Sequence, residues 1–166
     1  MTTHVSVDQV RWWLDEKAIT DVTSHSREET EFNLQVTLSR LPIHLIKEEK
    51  RGPIRVVGRS AFDTERARRL IRDDESRTEL LGLIGPVLAT TPGFYTFLDE
   101  EDRACELRDA ETIQLEHRIY PDGATQQALM DSVMAVATAM RYIQNLLGAT
   151  FPAVPPESDE LDDEDV

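Results

Sequence analysis

Little in this sequence invites covalent chemistry or membrane insertion. Cysteine occurs once, as Cys105, so no disulfide can form within the chain, and a reducing cytoplasm is the expected location. No apolar run approaches the roughly 20 residues that a membrane-spanning helix requires. The start, Met1-Thr2-Thr3-His4, has neither the basic nor the apolar segment of a secretory signal. Phosphate loops, dinucleotide glycine fingerprints, the zinc-protease helix motif and the G-x-S-x-G elbow are all missing. Lysine is scarce as well: Lys17, Lys47 and Lys50 are the only lysines among 18 basic residues, the rest being arginine.

What is abundant is acid. The 166 residues carry 32 aspartates and glutamates and a net charge of −14. Half of that charge falls between Pro152 and Val166, where Glu157, Asp159, Glu160, Asp162, Asp163, Glu164 and Asp165 meet no base. Acidity keeps a protein hydrated where salt screens weaker repulsion. Together with the preference for arginine over lysine, it points to a high-salt cytosol. Nucleic acid is not an expected partner, because phosphate neutralisation needs basic patches and its counterion-release term fades in salt. The organisation expected is one α+β domain over residues 1–150, followed by an acidic disordered tail, 151–166.

Along the chain, Ser6 and Gln9 form a capping box, with Val5 and Val10 at the staple positions. A first helix follows, with Val10, Trp13, Leu14 and Ala18 on one face. Trp12 lies off that stripe. The segment Phe32-Asn33-Leu34-Gln35-Val36-Thr37-Leu38 alternates without error, as a half-buried strand does. Strands are also expected over 43–47 and 54–59, with Gly58 as a bulge, whereas 19–25 reads equally as an edge piece or a loop. Asp63 or Thr64 caps a second helical region that Asp73-Asp74-Glu75-Ser76 interrupts, that Pro86 kinks and that Thr91-Pro92-Gly93 ends. Its arginines alternate with acids and read as a solvated face. Two further strands, 94–98 and 113–120, precede the Pro121-Asp122-Gly123 turn, and Thr125 caps a long last helix that Gly148 stops. The expected fold is a twisted antiparallel sheet of about five strands with helices packed on one face, in the order α-β-β-β-α-β-β-α.

Chemistry is hard to place on this frame. His25, His44, His117 and Cys105 are scattered singly, so neither a metal nor a cofactor is expected. Arg103 and Arg108 flank Cys105 and would lower its pKa, but a lone incidental thiol is the plainer reading. His44 points away from Ile43 and Leu45, while His117 shares a face with Ile113, Leu115 and Ile119. Glu111 and Glu116 read as ordinary surface carboxylates, without the apolar pocket a catalytic acid needs. The last helix is the better candidate. Met130, Met134 and Met140 widen its apolar stripe beyond one face. Methionine-rich faces adapt to partners, and a helix apolar on two sides must be buried on two sides: one on its own sheet, the other first of all on another helix of this chain, with a partner subunit as the alternative. Together with Trp12, these methionines are the candidate partner-binding residues.

Several of these features also carry a resemblance. Trp13-Leu14 at the end of the first helix, the Phe32–Leu38 strand, the Phe94-Tyr95-Thr96-Phe97 strand and the Ile119-Tyr120-Pro121-Asp122-Gly123 turn are similar to an uncharacterised archaeal, haloarchaeal-type family. The resemblance spans residues 5–148, and the acidic tail is an addition to it. Members of that family look like the type III secretion chaperone-like fold. This implies protein binding, often through dimers, and it brings no catalytic residue. The resulting expectation is a non-enzymatic, chaperone-like protein-binding module that works as a monomer or homodimer with an unidentified protein partner. Two other readings stay open: an accessory subunit of a larger assembly, and a small-ligand sensor or enzyme whose site the sequence does not display.

Overall fold

The computed structural model describes residues 4–25 and 27–147. The expected acidic tail and the Gly148 stop lie outside the described residues. In chain order the elements are α1 (Val7–Trp13), β1 (Ile19–Ser24), β2 (Phe32–Leu38), β3 (Leu41–Lys47), β4 (Ile54–Ala61), α2 (Glu65–Arg72), α3 (Asp74–Thr90), β5 (Phe94–Leu98), β6 (Thr112–Ile119) and α4 (Gln126–Asn145). The six strands form one antiparallel sheet in the order β1-β2-β3-β4-β6-β5.

The sheet has six strands rather than about five because 19–24 forms an edge strand. β1 pairs with β2 alone, and its register slips between Ile19 and Asp21. Thr20, Asp21, Thr23 and Ser24 are exposed, so only Ile19 and Val22 carry an apolar signal. An edge strand with so few buried positions resembles a loop in sequence.

Period-2 alternation sets the two faces of the sheet. Leu34 pairs with Leu45 and Val36 with Ile43. Leu45 pairs in turn with Val56, and Ile43 with Gly58. These side chains join Ile54, Ile113, Leu115 and Ile119 in one buried cluster. Each fully buried aliphatic side chain there contributes roughly 2 kcal/mol. Helix α4 lies across β3, β4 and β6 and adds Leu129, Val133, Val136, Met140 and Ile143 to the cluster, while α1 supplies Val10, α2 Ile71 and α3 Leu80 and Ile84.

Gly58 is not a bulge. Its pairing runs unbroken to Ile43 on one side and Leu115 on the other. A Cβ at this position would come within 2.1 Å of Met140 Sδ and 2.7 Å of Val136 Cγ1. The glycine is needed for the close approach of α4, which strand alternation alone does not reveal.

The helix ends follow their caps. Gln9 N–H donates to Ser6 Oγ at 3.1 Å, Ala67 N–H to Thr64 Oγ1 at 3.0 Å and Ala128 N–H to Thr125 Oγ1 at 3.0 Å. Asp73 separates α2 from α3: its carboxylate accepts from Ser76 N–H at 2.9 Å, so the break is an N-cap for a new helix. Pro86 lies inside α3, which continues to Thr90.

Candidate functional site

Helix α4 divides by phase. Leu129, Val133, Val136, Met140 and Ile143 face the sheet, and every one is buried. The opposite stripe is Met134, Thr138, Tyr142 and Asn145, all exposed. None of the four is charged, in a chain whose residues are 30% charged. The candidate contact residues separate on this basis. Trp12 is 77% exposed, Met134 42% and Tyr142, which the sequence did not single out, 44%. Met130 and Met140, at 8% and 1%, belong to the core. Helical phase relative to Gly58 decides which methionine is buried, and composition cannot supply that phase.

Two grooves flank the neutral stripe. One, of about 410 Å³, is lined by Val87, Thr90 and Pro92 at the end of α3 and by Met134, Thr138 and Tyr142. The other, of about 300 Å³, is lined by Leu38 and Leu41 beside Ala137, Thr138, Arg141 and Tyr142. Thr138 and Tyr142 border both grooves, so they form the ridge between them. Arg141, beside the stripe, donates to the Ser39 carbonyl. Trp12 and Met130 line a separate open hollow of about 880 Å³ with Arg11, Asp15 and Gln126.

The sheet face away from α4 is chemically the opposite. Register places Arg55, Val57 and Arg59 of β4 beside Gln114, Glu116 and Arg118 of β6. The Glu116 side chain is 2% exposed, which corrects its reading as a surface carboxylate. Arg55 donates to Oε1 from Nε at 2.9 Å and from Nη2 at 2.6 Å, and Arg118 Nε donates to Oε2 at 2.7 Å. Burial pushes the Glu116 pKa upward, but the hydrogen bonds and charges of the two arginines outweigh it and leave the carboxyl below its usual range. Arg118 also stacks over the Phe94 ring at 5.3 Å, and Arg59 Nε donates to Gln114 Oε1 at 2.9 Å. A carboxylate that is ionised and gripped from two sides is a poor proton donor at neutral pH.

Several other titratable groups also have structural partners. His117 Nδ1 lies 2.6 Å from Ser132 Oγ, and that hydroxyl donates to the Ala128 carbonyl at 2.7 Å. The serine proton is therefore directed away from the imidazole, the reverse of a serine activated by histidine. His25 Nε2 donates to Gln35 Oε1 at 3.0 Å. His44 is held towards its neutral form by burial, with His25 and Arg59 adding to the effect. Lys47, buried at the end of β3, donates to the Val5 carbonyl at 3.0 Å and ties the N-terminal segment to the sheet. For Cys105, burial raises the pKa and Asp99 and Asp109 add to the shift, so the flanking arginines do not activate the thiol. Among the described residues, no three His, Cys, Asp or Glu side chains gather in a group able to hold a metal ion.

Fold and surfaces together define an α+β protein with an open six-stranded antiparallel sheet, a long helix laid across its centre and a neutral ridge on the outside of that helix. Residues 6–147 match the family described as "Uncharacterized conserved protein (DUF2299)", and the chain belongs to that family. The chain is also similar to the crystal structure of an uncharacterised protein from Methanothermobacter thermautotrophicus. The TM-score is 0.69 at 17% identity, over 87% of this chain and 97% of that one, a likeness in fold alone. No curated protein matches the sequence. No helix among the described residues is long and apolar enough to cross a membrane.

Proposed function

We propose that the chain is a non-enzymatic protein-binding module with a chaperone-like architecture, working in a high-salt cytosol, and that the outer face of α4 is its contact surface. The observation that carries this reading is the uncharged exposed stripe Met134-Thr138-Tyr142-Asn145 with an apolar-lined groove on either side. Interface cores are depleted of charge and enriched in aromatic residues and methionine. A surface shaped by solubility alone, in a chain of net charge −14, has no reason to leave this ridge neutral. Strong salt also favours such a contact, because screening weakens ion pairs more than apolar burial. The preference for arginine over lysine supports the high-salt setting. A role as an accessory subunit of a larger assembly would use the same stripe.

Site-specific photocross-linking tests the reading. A photoreactive phenylalanine analogue at position 142 of the full chain, activated in a high-salt extract, is expected to give a discrete protein adduct. The adduct should disappear when Met134 is changed to Lys and should not form from position 79, where Glu79 is exposed on α3. Equal adducts from positions 142 and 79, or none from 142, would contradict the proposal.

A further inference from the structure

We infer that the partner received by the α4 face is a second copy of this chain, packed α4 against α4 in antiparallel orientation about a two-fold axis passing at Thr138. The inference rests on the reading of that face as a contact surface, and it deepens that reading by naming the occupant.

A two-fold interface requires a surface complementary to itself, and the stripe satisfies this position by position. Met134 and Tyr142 lie four residues to either side of Thr138, so the operation sets each Met134 against the Tyr142 of the other copy. A thioether against an aromatic ring is a favourable pairing, and it occurs twice. Thr138 faces itself on the axis, where the helices approach most closely and a small side chain is required. One step further out, Asp131 and Asn145 lie seven residues to either side of Thr138. The same operation places the Asp131 carboxylate opposite the Asn145 carboxamide, so an acceptor meets a donor, again twice. Asp131 is exposed and accepts a hydrogen bond from Gln127 Nε2 of its own helix at 2.7 Å.

Charge makes the same selection. Two copies of net charge −14 repel wherever acids face acids. From Met134 to Asn145 the stripe holds no acid, and Asp131, the nearest one, is matched to an amide. Arg141 is turned onto the Ser39 carbonyl of its own chain, so it does not meet its symmetry mate across the seam. The grooves supply shape. The ridge of Thr138 and Tyr142 stands between the hollow at Val87 and Pro92 and the hollow at Leu38 and Leu41. The exposed Met134 and Tyr142 side chains of one copy thus have apolar space beside the ridge of the other. An interface of standard size covers about 800 Å² per partner, so the grooves must close along with the helix seam.

The test uses the full chain in high salt, with sedimentation equilibrium over a range of concentrations. The expected mass approaches twice 18.9 kDa, and Thr138→Arg is expected to sediment as a monomer with unchanged circular dichroism and with the Tm that the wild-type chain shows when diluted below its dimerisation range. In a Cys105→Ser background, Thr138→Cys is expected to form a disulfide-linked dimer on mild oxidation, because its two copies meet on the axis, whereas Glu79→Cys is not. A wild-type chain that stays monomeric at every concentration overturns the inference. So does a dimer that survives Thr138→Arg. In either case a position-142 adduct with a different protein would leave the contact-surface reading standing, and the absence of any adduct would remove both.

Discussion

The two solvent-facing sides of this molecule handle polarity in opposite ways. The sheet face away from α4 is rich in ionisable groups, yet they are largely spent on one another: Arg55 and Arg118 on Glu116, Arg59 on Gln114, His25 on Gln35. The outer stripe of α4 holds no charge and forms a ridge between two grooves lined by apolar side chains. A dense array of arginine, histidine and carboxylate looks like a functional site, but its internal pairing leaves little for a ligand to exchange. The quieter helix face has apolar surface still to bury. Density of reactive residue types is therefore a weaker guide to function here than unspent surface.

That contrast can be broken from either side. The largest effect is expected at Gly93, which immediately precedes β5 with φ +97° and whose added Cβ would lie 2.0 Å from the Glu116 carbonyl oxygen. Gly93→Ala combines a left-handed backbone with a backbone collision and should cost about 3 kcal/mol, read as a lower urea midpoint. Gly58→Ala pushes on Val136 and Met140 beneath α4 and should cost about 2 kcal/mol in the same measurement. Because Gly58 controls how closely α4 seats, it should also weaken any contact made through the outer face of that helix.

Glu116→Gln removes the charge that Arg55 and Arg118 share. Breaking a fully buried pair costs 3–5 kcal/mol, but both arginines keep part of their hydration, so about 2 kcal/mol is expected. The acid limb should change with it. Because the Glu116 pKa is depressed in the folded chain, the unfolded chain binds more protons in this range. Its stabilising contribution is fully present above the ordinary glutamate pKa of about 4.3 and is lost as pH falls through the folded value. Urea midpoints against pH should therefore fall less steeply below about pH 4.3 in Glu116→Gln than in the parent chain. The smallest effect on stability belongs to Tyr142→Ser, within about 0.5 kcal/mol, with binding through the α4 face reduced all the same. Full retention of binding would show that the neutral ridge is incidental.

Local physics made much of the fold legible. The unbroken alternation of Phe32–Leu38 marked β2, and Ser6, the Asp63-Thr64 pair and Thr125 marked helix starts, with the hydroxyls of Ser6, Thr64 and Thr125 doing the capping. Features that depend on distant residues were not legible. β1 has only Ile19 and Val22 facing the core, Gly58 has its reason in Val136 and Met140, and Glu116 is buried by an arginine 61 residues away. One signal was available, since Arg118 lies two residues from Glu116 on the same strand face. The candidate site was readable as a helix but not as a face. The apolar excess of α4 was plain, whereas the division of its methionines between core and solvent required knowing where the sheet lay.

Hydroxyl-radical labelling of the full chain in high salt, at increasing protein concentration, tests the central claim most directly. Met134 and Tyr142 on α4 and Phe94 on the open sheet face begin with similar exposure. The expected result is progressive protection of Met134 and Tyr142 with concentration, while Phe94 and Trp12 remain reactive. Equal labelling of all four at every concentration, or protection of Phe94 instead, would contradict the account.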